Sequence, residues 1–303
     1  MNVLLTGASG LIGSALAPFL TAAGDRVIRL VRSQPSPRES QVFWDPETGT
    51  LDLATAGQEG LDAVVNLAGE NIAGRWSERK KARILDSRVR STRLLSESLA
   101  HLTTPPKVLV SASAAGFYGD RGDELLKEES ASGAMFLSEV CRQWEAATEP
   151  AARAGLRVVV LRIGVVLSAA GGALARMLPP FKMGVGGRIG SGRQYMSWIA
   201  IDDLLGAIVH VLTTEALRGP VNAVAPCPVT NLEFTKTLGR VLKRPTVFPL
   251  PAFAARLAFG EMAQELLLAS TRMEPARLLA TGYKFRNPDL ETALRRLLTS
   301  RPA

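Results

Sequence analysis

The chain is poor in the residues that most often build reactive or cross-linked centres. Its 303 residues include two cysteines, Cys141 and Cys227, and two histidines, His101 and His210. Two thiols cannot form a disulfide framework or a four-ligand zinc site, and two imidazoles make no His-rich centre, so no metal is expected. Long apolar runs are also missing. The most membrane-like stretch, Val158 to Ala175, is interrupted by Arg162, Gly164, Gly171 and Gly172. A spanning helix needs ~20 predominantly apolar residues, so this stretch reads as a buried strand followed by a loop. Met1-Asn2-Val3 runs straight into a strand-like segment, with no basic n-region or cleavable apolar segment. The expectation is a cytoplasmic protein with no targeting segment and no membrane partner.

What is present is a substantial core. Apolar residues make up 47% of the chain and charged ones 21%, enough apolar surface to offset the entropy of ordering. The 27 glycines and 18 prolines have no period, which excludes collagen-like and low-complexity classes. The net charge of +8 is uneven. From Arg75 to Arg93 there are eight basic residues against Glu78 and Asp86, which is 8 − 2 = +6 in 19 residues. Such a run serves a solvated helix face, an anionic cofactor or a nucleic acid. No aromatic stacking platform accompanies it, and nucleic acid is not expected as a partner.

Short apolar runs alternate with helical periods through the first half. Val3–Leu5, Val27–Val31, Ala63–Leu67, Val108–Ser111 and Leu156–Arg162 read as strands of a sheet covered on both faces. Leu11–Ala23, Ser77–Leu102 and Gly133–Ala154 have helical spacing. This alternation predicts a doubly wound α/β parallel sheet. The second half is less regular. Gly164–Gly192 reads as a long loop with a short helix around Leu174–Leu178, followed by helices over Ile201–Leu212 and Thr230–Leu242 and a proline-punctuated, mainly helical tail. The expected division is a cofactor domain over 1–165 and a smaller, interleaved substrate lobe over 166–303.

The first strand leads into Thr6-Gly7-Ala8-Ser9-Gly10-Leu11-Ile12-Gly13 and then a helix. Glycines at intervals of three let backbone approach a pyrophosphate and let the helix pack close to the strand. The helix N-terminus offers N–H groups and a positive dipole end to the phosphates. A strand before and a helix after are the context that gives this pattern meaning. Gly7, Ser9, Gly10, Leu11, Ile12 and Gly13 are therefore expected to hold a dinucleotide. Selection of NAD usually places an acid about 20 residues further on, for the ribose 2′-OH. Here the second strand ends in Arg29-Leu30-Val31-Arg32-Ser33, with no acid between Asp25 and Glu39. A guanidinium pairs with a 2′-phosphate that a carboxylate would repel, so NADP (NADPH) is expected, with Arg32 as the contact.

With TGASGLIG, Asn66-Leu67-Ala68-Gly69 after a strand, and Ser111-Ala112-Ser113 before Phe117-Tyr118-Gly119, the chain resembles the extended short-chain dehydrogenase/reductases that epimerise nucleotide sugars. More closely it resembles the atypical epimerase-like subfamily sometimes described as cell-division-inhibitor-like. That likeness rests on NLAGEN at 66–71, DSR then ST at 86–92, RIGVVL at 162–167, IGSGRQYMSWIAIDDL at 189–204 and ATGYKF at 280–285, and covers essentially the whole chain. The resemblance implies a Rossmann-type fold and a small-molecule substrate. It also implies cofactor contacts from Leu67, Ala68, Gly69, Arg88 and Arg162.

The resemblance fails at the acid/base pair, a Tyr with a Lys four residues later. Anchored on Glu145, the two positions hold Leu137 and Cys141; shifted by one residue, Phe136 and Val140. Ser113 matches the substrate-orienting serine. Tyr118 is either a substitute acid or a pocket wall, Glu139 either a base or an exposed helix residue, and Cys141 reads as a small buried apolar residue. The expected function is an NADP(H)-binding, epimerase-like oxidoreductase whose small substrate includes nucleotide sugars as a class. The alternative is a catalytically silent NADPH-binding regulatory or interaction protein.

Overall fold

The computed structural model describes residues 1–36, 39–53 and 60–299. Its centre is an eight-stranded sheet. The strands in chain order are β1 (Asn2–Thr6), β2 (Arg26–Val31), β3 (Gln41–Asp45), β4 (Thr50–Leu51), β5 (Ala63–Asn66), β6 (Val108–Ala114), β7 (Arg157–Ile163) and β8 (Gly219–Ala223). In space they run β8-β7-β6-β5-β1-β2-β3-β4. All neighbours are parallel except β3 and β4, which pair antiparallel at the edge. From β1 the chain builds outward through β2 and β3, then returns to place β5 on β1's other side. That reversal opens a crevice at the carboxyl ends of β1 and β5, the usual ligand position in such sheets.

Alternation along each strand sorts the core. Val3, Leu5, Val65, Val110 and Leu161 face helices α1 (Leu11–Ala22) and α6 (Ile201–Thr213). Leu4, Val64 and Leu109 face the other way, onto Leu95 and Leu99 of α2 (Glu78–Ala100). Between them run α3 (Phe136–Ala146), α4 (Glu149–Arg153) and α5 (Gly172–Lys182). The single helix expected over Gly133–Ala154 is two, α3 and α4. Thr148 lies between them and Pro150 falls in the first turn of α4, where a missing N–H costs nothing.

Three strands of this sheet escaped the reading of the sequence: β3, β4 and β8. Gly219–Ala223 begins Gly-Pro and looks like a turn. Yet the strand is the sheet's edge, pairing only with β7, the position where proline is tolerated. Because β8 and α6 complete the sheet's layers, the boundary at residue 165 is crossed by the fold. The stretch expected as a loop with a short helix around Leu174–Leu178, Gly164–Gly192, also contains a strand, Val165–Ser168, paired parallel to Trp198–Ala200, and its helix is longer than expected, as α5. These, with α7 (Asn231–Leu242) and the later α10 (Leu290–Thr299), enclose a separate core of Leu167, Leu174, Phe181, Trp198, Phe234 and Leu294. Between α7 and α10 lie α8 (Ala252–Phe259) and α9 (Ala276–Ala280). Helix starts follow their sequence signals. Ser77 Oγ accepts from Lys80 N at 3.2 Å at the head of α2, and Thr230 with Glu233 forms a reciprocal capping box on α7.

Candidate functional site

The turn after β1 is shaped by its glycines. Gly7 has φ +67°, and a Cβ there would stand 2.6 Å from the Leu67 carbonyl oxygen. A Cβ on Gly13 would fall 2.2 Å from Gly7 O, inside any real contact distance. Gly10 differs, since it caps α1 with no side chain bonded to the helix end, and Ser9 and Gly10 are exposed toward the crevice. The first N–H groups of α1 lack intrahelical partners, as at any helix start, and here no side chain competes for them. A cleft of about 520 Å³ runs along this edge, lined by Ser9, Gly10, Leu11 and Ser14 on one side and Ser168, Ala170 and Gly171 on the other. Gly171 and Gly172 are pressed onto Leu11, where their Cβ atoms would come to 3.1 and 2.8 Å.

Across the switch point, a buried polar network fixes the second wall. Thr6 Oγ1 donates to Asn66 Oδ1 at 2.7 Å and accepts from the backbone N–H groups of Leu67 and Ala68. Asn66 Nδ2 in turn donates to Thr92 Oγ1 and Ser111 Oγ. Leu67 and Ala68 are thereby held at the rim, with Gly69 exposed beside them. Gly69 lies against Arg88, whose Cζ would be 3.2 Å from a Cβ there. The half-buried Arg88 guanidinium donates to Ile84 O at 3.0 Å, stacks on Trp144 with 5.0 Å to the ring centre, and has no carboxylate partner among the described residues. Burial pushes its pKa below the usual arginine value, as for a cation awaiting a counter-charge. Arg32 is exposed just past β2. Its field reaches Glu70, whose carboxyl is held low chiefly by the Lys80 ammonium bonded to it at 2.6 Å.

The other expected residues divide differently. Ser113 is at the carboxyl end of β6, and its hydroxyl donates to Glu145 Oε1 at 2.7 Å. Arg162, expected at the cofactor, has its guanidinium among buried partners of the chain. It is 4% exposed, grips Glu145 through Nε and Nη2 at 2.9 Å each, and donates from Nη1 to Tyr118 Oη and Glu128 O at 3.0 Å. Its guanidinium also covers the Phe117 ring at 3.4 Å. Tyr118, weighed as a substitute acid or a pocket wall, belongs to the same network. It is fully buried, its hydroxyl bonds Asn222 Oδ1 at 2.7 Å and Lys127 O at 3.0 Å, and burial raises its pKa. Tyr118 is a core wall. Glu139 is tied to Arg142 and Gln143 on the α3 surface.

Cys141, on the buried side of α3 near Ser113 and Arg88, has its thiol pushed up to about 11 by burial. It behaves as the small apolar residue expected. Glu265 was missed. Its carboxylate accepts from Phe136 N at 3.0 Å and Leu137 N at 3.1 Å, capping α3 where the absent tyrosine would stand, and burial raises its pKa. No local signal marks it, since the contact spans more than a hundred residues of chain. The basic run is largely neutralised in place. Lys80 pairs with Glu70, Lys81 with Glu261, Arg90 with Asp86 and Arg93 with Glu97.

Residues 3–223 match the NAD dependent epimerase/dehydratase family, and residues 250–297 match a domain of unknown function, DUF1731. The chain belongs to the NAD dependent epimerase/dehydratase family. Within it, the chain is 46% identical over 293 residues to Epimerase family protein Mb2239 of Mycobacterium bovis, covering 96% of each. Among solved structures it is similar to human epimerase family protein SDR39U1 (isoform 2), crystallised with NADPH. That match has TM-score 0.88 and 38% identity, covering 98% of this chain and 99% of the other. It is also similar to a nucleoside-diphosphate sugar epimerase from Corynebacterium glutamicum, with TM-score 0.79 and 42% identity, over 98% of this chain and 58% of that longer one. The glycine turn and α3 both lie within the matched residues 3–223.

Proposed function

We propose that this chain is an NADPH-binding oxidoreductase of the epimerase class, acting on a small substrate of which nucleotide sugars are the leading candidates. The observation that carries the reading is the cradle itself. Gly7 and Gly13 admit no side chain, and the helix end beyond them is open to a pyrophosphate. The residues present fit a dinucleotide: Ser9, Gly10, Leu11 and Ile12 for the phosphates, Leu67 to Gly69 for its middle, and Arg32 for a 2′-phosphate. Arg88, with no carboxylate partner among the described residues, stands at the inner wall. NADPH, when bound, supplies hydride. The human relative crystallised with NADPH supports the choice of cofactor, and the Corynebacterium relative supports the substrate class.

Ser113 is the group of this chain that would orient a substrate hydroxyl. Its own proton is committed to Glu145, so its free lone pairs accept, and Arg162 holds the Glu145 carboxylate in place from its other side. Proton delivery has no tyrosine. That fact also favours the second reading, a protein that binds NADPH without turnover, because Leu137 and Cys141 make the inward face of α3 apolar.

Calorimetric titration tests the reading. NADPH is expected to bind at least tenfold more tightly than NADH, because a charge-assisted phosphate contact contributes roughly 1.5–3 kcal/mol. Arg32→Ala should erase most of that preference. Equal affinities for the two cofactors would overturn the assignment. Oxidation of NADPH in a panel of nucleotide-sugar and carbonyl substrates, lost in Ser113→Ala, separates turnover from silent binding.

A further inference from the structure

Two long stretches of the chain, residues 150–201 and 234–260, contain no Asp or Glu. The fold brings them together on the second lobe. Arg244 Nε donates to Lys182 O at 2.9 Å, Leu250 N donates to Arg188 O and Gly190 N to Leu250 O, each at 2.8 Å. Along this seam, large apolar side chains stand out into solvent. Met183 is 70% exposed, Val247 71%, Phe253 72% and Leu257 76%, with Val185 and Phe248 also more than half exposed. Phe253 and Leu257 are four residues apart on α8 and share one face of it. Beside the seam is a depression of about 550 Å³ lined by Lys236, Arg240, Lys243 and Arg244. Arg240 is partly engaged by Glu291 at 2.9 Å, whereas Lys236 and Lys243 have no partner among the described residues.

Projecting apolar side chains of this size, beside the basic side chains of Lys236, Arg240, Lys243 and Arg244, mark a contact surface. A second copy of the chain fits poorly, because a two-fold interface sets the patch against itself and brings cation to cation. A nucleic acid would use the lysines and leave Leu257, Val247 and Met183 in water. An anionic bilayer satisfies both halves at once: the acyl boundary receives Phe253 and Leu257, and headgroup phosphates receive the lysines and arginines. We propose that this face, formed by residues 182–188 and 243–257, docks the protein on the surface of an anionic membrane. Among the described residues no helix is long and apolar enough to cross a membrane. Attachment to a bilayer surface needs no such helix.

Co-sedimentation of the full chain with vesicles tests this, using phosphatidylglycerol mixed with phosphatidylcholine against phosphatidylcholine alone. Binding is expected to the anionic vesicles only, and to weaken in high salt. Phe253→Ser with Leu257→Ser should weaken it at least tenfold. Lys236→Ser with Lys243→Ser should weaken it by about fivefold per charge removed. NADPH affinity should stay unchanged in both variants, which certifies their folding. Absence of binding at millimolar anionic lipid would overturn the proposal, as would binding indifferent to both pairs of substitutions. So would a wild-type dimer in analytical ultracentrifugation that Phe253→Ser dissolves, since the patch would then belong to a second copy.

Discussion

Single residues gain their meaning here from what surrounds them. Cys141 and Cys227 are alike in sequence, yet one is buried beside Ser113 and Arg88 and the other is exposed. With the Cys141 pKa raised to about 11 by burial, its reactive thiolate is scarce at neutral pH. Iodoacetamide at pH 8 should therefore label one thiol per native chain, at Cys227, and a second only after unfolding; mass spectrometry reads the site directly. The linkage sign follows from the same shift. A folded pKa above the unfolded value near 9 means the fold favours the protonated thiol. That contribution is fully present below pH 9 and is lost as pH rises through about 11. Cys141→Ala should flatten this alkaline limb of the stability curve. Glu145 makes the complementary point: a residue useful in the sequence only as an alignment anchor turns out to orient Ser113 and hold Arg162.

At the level of elements, the fold depends on polar staples between segments far apart in the chain. Asp203, in the first turn of α6, is fully buried. Its carboxylate accepts from Arg286 N at 2.6 Å, Asn287 N at 3.0 Å and Asn287 Nδ2 at 2.8 Å, while its carbonyl accepts from Tyr283 Oη. The IDDL and GYKF stretches that looked like family marks are the two halves of this clasp. Asp203→Ala takes the carboxylate from the Arg286 and Asn287 donors, the latter buried, which should cost about 2–4 kcal/mol in urea denaturation. Asp203→Asn, which keeps one acceptor oxygen, should fall between. Arg157 plays a similar part for the far end of α6, donating to the carbonyls of Val211, Leu212 and Leu217. A cation at a helix C-terminus satisfies orphan carbonyls and the dipole together, so this buried arginine needs no carboxylate.

Across the whole molecule, the cofactor crevice and the second lobe meet at one seam. The Ala170–Gly171 turn closes the cleft over Ser9 to Ser14, although it belongs to the stretch that follows β7. Hydrogen exchange should therefore show NADPH protecting residues 9–14 and 168–172 together, with the acid-free face around 243–257 unaffected. Protection confined to the region before Arg93 would mean the second lobe does not cover the cofactor, and would move the silent-binding reading ahead. The basic run on α2, conspicuous in the sequence, loses prominence at this scale because acids from other segments pair Lys80 and Lys81 and acids of α2 itself pair Arg90 and Arg93.

The sequence alone determined the alternating layers, the glycine turn and the want of an acid after the second strand. Each is local: period-two strands, 3.6-period helices and a strand–glycine–helix junction are written in consecutive residues. It also determined that α3 has neither Tyr nor Lys. The tertiary structure decided which polar residues face the crevice and which are sealed. Ser113, Tyr118 and Arg162 all lie near strand ends in sequence, and only packing shows all three buried and joined in one network, Ser113 and Arg162 through Glu145 and Arg162 directly to Tyr118. The edge strand Gly219–Ala223, the cap supplied by Glu265 and the joining of two acid-free stretches into one face arise from contacts between distant segments. No window of sequence contains both partners of such a contact, so only the folded chain could bring them together.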